Sequence, residues 1–448
     1  MFGLFGATAS GFLSIGIMHA SYRYYFELKD NDIDKFKRLN FSNIIFLLTI
    51  FLVGFLLIIL FKNFLLNIFF KGSISSFIYY TSFIAGAITY LIEYHLLLIT
   101  AYKRSLFYAF VTILRPILLL IITLILFYNI ESSLIAIIMG YTFSVSLLLL
   151  LIVIGSIQQY SPHYSSKYVK ESLLFSYPML PRNMIGQIYN MFDKIMLINY
   201  TGFIGVGYYT LASRYTETLK LIMASLDKVW HPYFLEHATN NTADDQNKII
   251  NKGKEIISLV MIGGLLITYI SQEIIMLLTP SDYHQTAFYI PVYILFYIFA
   301  LINMFGFVQI TYAKKLGYFI IGSVGAIITN VGFNILLIPI YGVMGATIAT
   351  AIAALVGSTL NAYNGQKCYP LNIDYYQIIL IILLFIVFSF ILYPLQILFE
   401  PFSIKLIVLK ILSLSIFIKL LIQLGFISII QLNEYKEYFI ELIRRNKN

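Results

Sequence analysis

Two long hydrophobic stretches between Tyr177 and Lys228 carry Arg182, Asp193, Lys194, Arg214, Glu217 and Lys220, six ionisable side chains in otherwise greasy sequence. An ionised side chain at the centre of a bilayer costs about 2.5–3.5 kcal/mol on insertion scales, so these groups need a wet or charged surrounding. Stepped at about 100° per residue, Arg182, Asn183, Gln187, Asn190, Asp193 and Lys194 share an arc of roughly 140°, opposite Met184, Ile185, Ile188, Met191, Phe192, Ile195 and Met196. The second stretch repeats the pattern. Thr210, Ser213, Arg214, Glu217, Lys220, Ser225 and Asp227 share half of the wheel, opposite Leu211, Ala212, Tyr215, Leu219 and Ile222. Two helices of this kind imply a common aqueous cavity. Arg214 and Glu217, three residues apart, are placed to neutralise each other. Arg182 has no carboxylate within helical reach on its own stretch, with Asp193 about 16 Å along the axis, so its partner comes from another helix, water or a ligand.

A second pair of charges lies earlier in the chain. Glu93 shares a helical face with Ser82, Gly86, Thr89, Tyr90 and Thr100, and Arg115 stands just before Pro116. These two either pair across adjacent helices or line the cavity from the other half of the protein. Arg23, at the end of its span, is placed to snorkel to the interface. Pro178 and Pro181 read as a helix start, where proline is tolerated, or as a bend lining a cavity. Gly322, Gly325, Gly332, Gly342, Gly345 and Ala349 are small residues at intervals that suit close helix packing. His19, His95, His163, His231, His237 and His284 are scattered, and their spacing offers no paired metal ligands. A Ser/His/Asp cluster, a phosphate-cradling glycine loop and a nucleotide-binding domain are likewise missing from the sequence pattern. That removes the engine of an ATP-driven pump and favours a protein that is not an enzyme and uses no cofactor.

The elements that must position these residues are membrane helices. Of the 448 residues, 60% are hydrophobic and 11% charged, far from the soluble balance of about 25% charged. Mean hydropathy is +0.84. Cys368 is alone, which excludes a disulfide framework. At about 20 apolar residues per crossing, roughly thirteen spans fit, near 2–20, 41–61, 77–100, 105–128, 134–157, 172–200, 204–229, 256–278, 288–308, 316–338, 343–362, 376–397 and 404–430. The net charge of +9 is topological. Lys and Arg concentrate in alternate connections, around 23–38, 103–104, 167–170, 228–254, 314–315, 367 and 436–447, which the positive-inside rule places in the cytoplasm together with the C-terminus. Nucleic acid is therefore not the partner.

An odd number of spans points to an internal repeat. Phe2-Gly3-Leu4 opens a span that ends in Tyr24-Tyr25-Phe26-Glu27, and Gly207-Tyr208-Tyr209 opens one that ends in His231-Pro232-Tyr233-Phe234-Leu235-Glu236, each followed by a polar loop and four further spans. The charged helix of 172–200 precedes the second copy and nothing precedes the first. The repeat thus predicts one further N-terminal helix of about 20 residues in complete relatives. The expected architecture is an all-α integral membrane protein with an N-lobe over 1–165, a C-lobe over 166–365, a C-terminal helix pair over 366–432 and a basic tail over 433–448.

The chain resembles the polysaccharide transporter family, the O-antigen and lipid-linked oligosaccharide flippases of the multidrug/oligosaccharidyl-lipid/polysaccharide superfamily. The matching stretches are Arg23-Tyr24-Tyr25-Phe26-Glu27 with its acidic loop, Tyr177-Pro178-Met179-Leu180-Pro181, Gly207-Tyr208-Tyr209-Thr210-Leu211-Ala212-Ser213-Arg214-Tyr215, and Tyr341-Gly342-Val343-Met344-Gly345-Ala346-Thr347-Ile348-Ala349-Thr350. The resemblance implies two lobes in a V around a cavity that opens alternately to either side, in the bacterial inner membrane. It implies an undecaprenyl-diphosphate-linked oligosaccharide as substrate, with the polysaccharide polymerase and chain-length machinery as downstream partners in O-antigen and lipopolysaccharide assembly. On this reading Arg182, Lys194, Arg214, Lys220 and Arg115, with Asn190, would contact the substrate, Arg giving bidentate bonds to the diphosphate. Asp193, Glu217 and Glu93 would balance charge or take up a coupling ion. Two alternatives remain. A cation-coupled multidrug exporter of the same superfamily would prefer an acidic cavity, and a membrane glycan polymerase or ligase would need more external polar loop.

Overall fold

The computed structural model describes residues 2–70, 74–130, 132–177, 180–240, 242–315, 317–391 and 400–428, and for residues 2, 4 and 180–190 the backbone alone. Every long regular element among them is an α-helix: α1 Phe2–Leu13, α2 Ile17–Leu28, α3 Ile33–Leu60, α4 Lys62–Phe70, α5 Ser76–Ala101, α6 Ser105–Asn129, α7 Ser133–Ser156, α8 Ser166–Ser176, α9 Leu180–Asn240, α10 Ala243–Leu278, α11 Ile290–Tyr312, α12 Gly317–Tyr341, α13 Val343–Cys368, α14 Tyr375–Ile391 and α15 Ile404–Gln423. Short 3₁₀ turns lie at Ile157–Gln159 and Ser281–Phe288.

Ten of these helices are long and apolar enough to cross a bilayer, counted among the described residues. They account for all but three of the expected spans. The first span is split, because Ile15 and Gly16 turn left-handed at φ 53° and 70° and separate α1 from α2. Isoleucine is β-branched and does not announce such a break. The span expected at 172–200 falls on α8 and the start of α9. The twelfth is α14, with 17 residues. α9 itself spans 61 residues, about 90 Å of helix, three times a bilayer's hydrocarbon thickness. It divides at Gly202, whose φ of 72° and ψ of −169° belong to a region open in practice only to glycine.

Helix starts are fixed by side-chain caps. Asp32 accepts from the Lys35 amide at 2.9 Å at the head of α3, and the Thr242 hydroxyl accepts from the Asp245 amide at 3.1 Å at the head of α10. Both helices begin in charged turns, Asp34 to Arg38 in one and Asp244 to Glu255 in the other, and become apolar only afterwards. Their 28 and 36 residues exceed the roughly 20 that one bilayer crossing needs, which leaves length for those charged first turns outside the hydrocarbon.

The chain divides into two compact units, 1–195 and 196–448. In the first unit, α1 crosses α5 at Gly6 and Gly86, where a Cβ on either would overlap the backbone of the other helix. Ser10 Oγ donates to the Gly86 carbonyl at 3.1 Å in the same crossing. Phe5, Tyr79 and Phe83 pack at one end, and Phe36, Leu91, Tyr94 and Leu98 at the other. α6 covers the edge of this unit and exposes Leu106, Phe110, Ile113, Leu120 and Leu124, an apolar face suited to acyl chains. In the second unit, α13 packs between α11 and α12. Gly322, Gly325 and Gly345 sit at tight contacts of the α12–α13 pair, whereas Gly332 faces open space. α10 carries α11 together with the C-terminal helices α14 and α15.

Candidate functional site

α5 and α6 bring the first expected pair together. Arg115 Nη1 donates to Glu93 Oε1 at 2.8 Å, closing an ion pair between neighbouring helices. Neither side chain is sealed in, with 34% of Arg115 and 50% of Glu93 exposed. An open ion pair on an intramembrane helix needs water or polar ligand on its free side.

The second arm of α9, residues 203–240, buries only Ala212 and Leu219 of the greasy face read from its sequence, with Leu211 and Tyr215 half-buried. Tyr209, Ala212, Thr216 and Leu219 are buried along one stripe. On the other side, Arg214 Nη1 lies 3.1 Å from Glu217 Oε2, one turn apart, and Lys220 is exposed one turn further on. Arg214 is 73% exposed, so the intrahelical pair leaves much of its guanidinium free for another acceptor. Ile222, expected on the greasy face, is exposed. Asp193 is buried and Lys194 half-buried in the first unit, and both engage neighbouring groups. The side chains of Arg182 and Asn190, like Pro178 and Pro181, lie outside the described residues. Glu93, Arg115, Asp193 and Lys194 thus belong to the first unit, and Arg214, Glu217 and Lys220 to the second. Arg23 pairs with Glu27 at 2.6 Å and lies over the Phe175 ring at 4.5 Å, which accounts for it as an anchor between α2 and α8.

Two polar arrangements escape a reading by helical faces. In the first unit, Asn43 Nδ2 donates to Ser21 Oγ at 2.8 Å and to Ser172 Oγ at 2.9 Å, while the Tyr94 hydroxyl meets Ser21 at 2.7 Å and Asn40 Oδ1 at 2.5 Å. α2, α3, α5 and α8 are joined through this buried hub. Beside it, burial pushes the hydroxyls of Tyr102 and Tyr160 above the usual tyrosine range, which keeps both protonated. In the second unit, Lys410 Nζ lies 2.5 Å from Glu273 Oε1 between α15 and α10. Asn43, Glu273 and Lys410 each interrupt an apolar span, which is the signal the sequence held for them. Among the described residues, no group of three His, Cys, Asp or Glu side chains is placed to hold a metal ion.

Comparison with known proteins bears on what such a molecule does. A family model described as polysaccharide biosynthesis protein matches residues 7–238. None of the curated proteins matches the chain. Among solved structures, the chain is similar to the lipid II flippase MurJ in an inward closed conformation, with 18% identity, a TM-score of 0.69, and coverage of 94% of this chain and 96% of that one. It is also similar to a multidrug resistance MATE family transporter of the MOP superfamily. The inward-facing form gives a TM-score of 0.65 at 12% identity over 82% of this chain and 87% of the other, and the outward-facing form 0.53 at 14% over 82% and 85%. At these identities the likeness is one of fold, and it is the fold of this transporter superfamily.

Proposed function

This chain belongs to the polysaccharide biosynthesis protein family, and from that premise we propose that it is a flippase for a lipid-linked oligosaccharide, carrying a diphosphate-bearing polyprenyl glycan across the inner membrane by alternating access. The observation that carries the reading is the exposed cationic face of α9, with Arg214 and Lys220 set on an intramembrane helix of a transporter fold. An anion is what such a face binds, and a diphosphate offers the bidentate acceptors that a guanidinium prefers. In the first unit, Arg115 and Lys194, with Arg182 and Asn190 on the first arm of α9, are further candidates for contact with the substrate. Asp193, Glu217 and Glu93 would hold these cations when no substrate is bound and release them as it enters. With the basic loops and the C-terminus on the cytoplasmic side, as the positive-inside rule would have them, the substrate would load from that side and be delivered outward to polymerase and chain-length machinery.

Deletion of the gene tests this. Surface polysaccharide should fall and lipid-linked units should accumulate, the wild-type chain should reverse both, and Arg214→Ala with Lys220→Ala should not. Normal polysaccharide in the deletion strain, with altered drug tolerance instead, would favour a multidrug exporter of the same fold.

A further inference from the structure

Glu273 and Lys410 are opposite charges held together inside two apolar helices. Glu273 lies five residues before the end of α10 and Lys410 six residues after the start of α15, each roughly 8–9 Å from the end of its helix. Their side chains are 15% and 8% exposed, with Nζ and Oε1 2.5 Å apart. Both helix ends lie opposite the basic loops, because the far end of α10 carries Lys248, Lys252 and Lys254. By the positive-inside rule this is the outer half of the membrane.

The pair is incomplete on one side. Glu273 Oε2 is buried and has no hydrogen-bond donor. The hydroxyls around it are committed elsewhere: Tyr215 donates to the Ile267 carbonyl at 3.1 Å, and Tyr269 is shared between the Phe388 carbonyl at 2.9 Å and Ser413 Oγ at 2.7 Å. A buried oxygen left without a hydrogen-bond partner is costly, and a proton placed there would turn it into a donor. The ionisable groups on the surrounding elements are few. α15 supplies Lys410, with Lys405 five residues before it and Lys419 nine after it on the same helix, the second arm of α9 supplies Tyr215, α10 itself Tyr269, and the Ser281–Phe288 turns Asp282, Tyr283 and His284. α11 and α14, which also pack on α10, contain no Asp, Glu, Lys, Arg or His.

We propose that Glu273 is the residue at which this protein takes up a coupling proton from the outer side, with Lys410 as the tethered counter-ion that protonation releases. The inference rests on the transport reading above. In the step, the Glu273 carboxylate takes a proton from hydronium and leaves a carboxylic acid and water, and no other bond changes. Lys410 keeps its charge, and its four-carbon stem carries the ammonium toward the nearby interface. α15 then loses its charged tie to α10, while α10 keeps its other holds on the C-terminal helices, Tyr269 on Phe388 and Ser413, and Lys254 on Gln377 at 2.9 Å. The C-terminal pair would thereby change its grip on the second unit once per transport cycle.

The first test needs no substrate. Infrared difference spectra of the full chain in nanodiscs, taken across a pH series, should show a protonated-carboxyl stretch that titrates in the wild type and is missing in Glu273→Gln. Its failure is therefore distinct from a failure of the substrate reading. The second test uses E273Q/K410M, in which both charges go together, so that neither is left buried alone. Reconstituted in liposomes with a fluorescent polyprenyl-diphosphate disaccharide as probe, this variant should keep the wild-type unfolding temperature and lose the acceleration of flipping by an outside-acidic gradient. A spectrum with no Glu273-dependent carboxyl band overturns the proposal. So does an undiminished gradient response in the folded variant, or a wild-type response to sodium in place of the pH gradient. Should the double variant not fold, the infrared titration decides alone.

Discussion

Replacing Glu93 by Gln and Arg115 by Met in one chain asks whether the open side of this ion pair is wet. With 34% and 50% of the two side chains exposed, the pair faces either an aqueous cavity or acyl chains, and the two surroundings differ greatly in energy. An ion pair open to water contributes about 0.2–1 kcal/mol, so removing it there should change stability by less than about 1 kcal/mol. Open to lipid, each ionised group costs about 2.5–3.5 kcal/mol, or about 5–7 kcal/mol for two before their mutual attraction is subtracted, and neutralising them should stabilise the protein by several kcal/mol. Unfolding in mixed micelles by a denaturing detergent measures the difference. The wet reading predicts a small change in stability together with a loss of flipping, because Arg115 no longer meets the diphosphate. A gain of more than about 2 kcal/mol would refute it and put the pair in lipid.

Three further outcomes follow from the structure. Gly202→Ala should cost about 1–3 kcal/mol from backbone conformation alone, since nothing lies within 4 Å of the added Cβ; an unchanged unfolding temperature would mean that α9 does not bend there. Asn43→Leu should cost about 1–3 kcal/mol, because it removes two hydrogen bonds and strands the Ser172 hydroxyl, and a double-mutant cycle with Ser172→Ala should show coupling between them. An additive cycle would separate α8 from the hub. Gly86→Val should prevent the close crossing of α1 and α5 and lower the yield of folded protein in membranes, whereas Gly332→Ala, which meets nothing within 4 Å, should be silent by the same assay.

Much of the candidate site was legible because helical periodicity is local. Arg214, Glu217 and Lys220 fall on one face whatever the rest of the chain does, whereas the buried stripe Tyr209, Ala212, Thr216 and Leu219 shares only Ala212 and Leu219 with the expected greasy face, because packing chose which side to cover. The Glu93–Arg115 contact joins two spans separated by a short connection, so adjacency made the pairing readable. Glu273 and Lys410 are 137 residues apart, and nothing in either span names the other. Asn43 and Ser172 are 129 residues apart, and a polar residue in an apolar run reads as tolerated until its partner is in view. The break at Ile15 and Gly16 was hidden for a different reason. A β-branched residue favours neither a left-handed turn nor a helix end, so its conformation there is held by the packing around it.

By itself the sequence determined that this is a multi-pass helical membrane protein, since a chain with 60% hydrophobic residues and a basic loop at every second turn has few other ways to satisfy its backbone. It also determined which faces of α9 carry charge, because 3.6 residues per turn leaves no choice. The tertiary structure decided which charges meet. An ion pair or a hydrogen bond between helices depends on how the spans pack in space, and hydrophobic runs that are nearly interchangeable in composition carry no record of their neighbours.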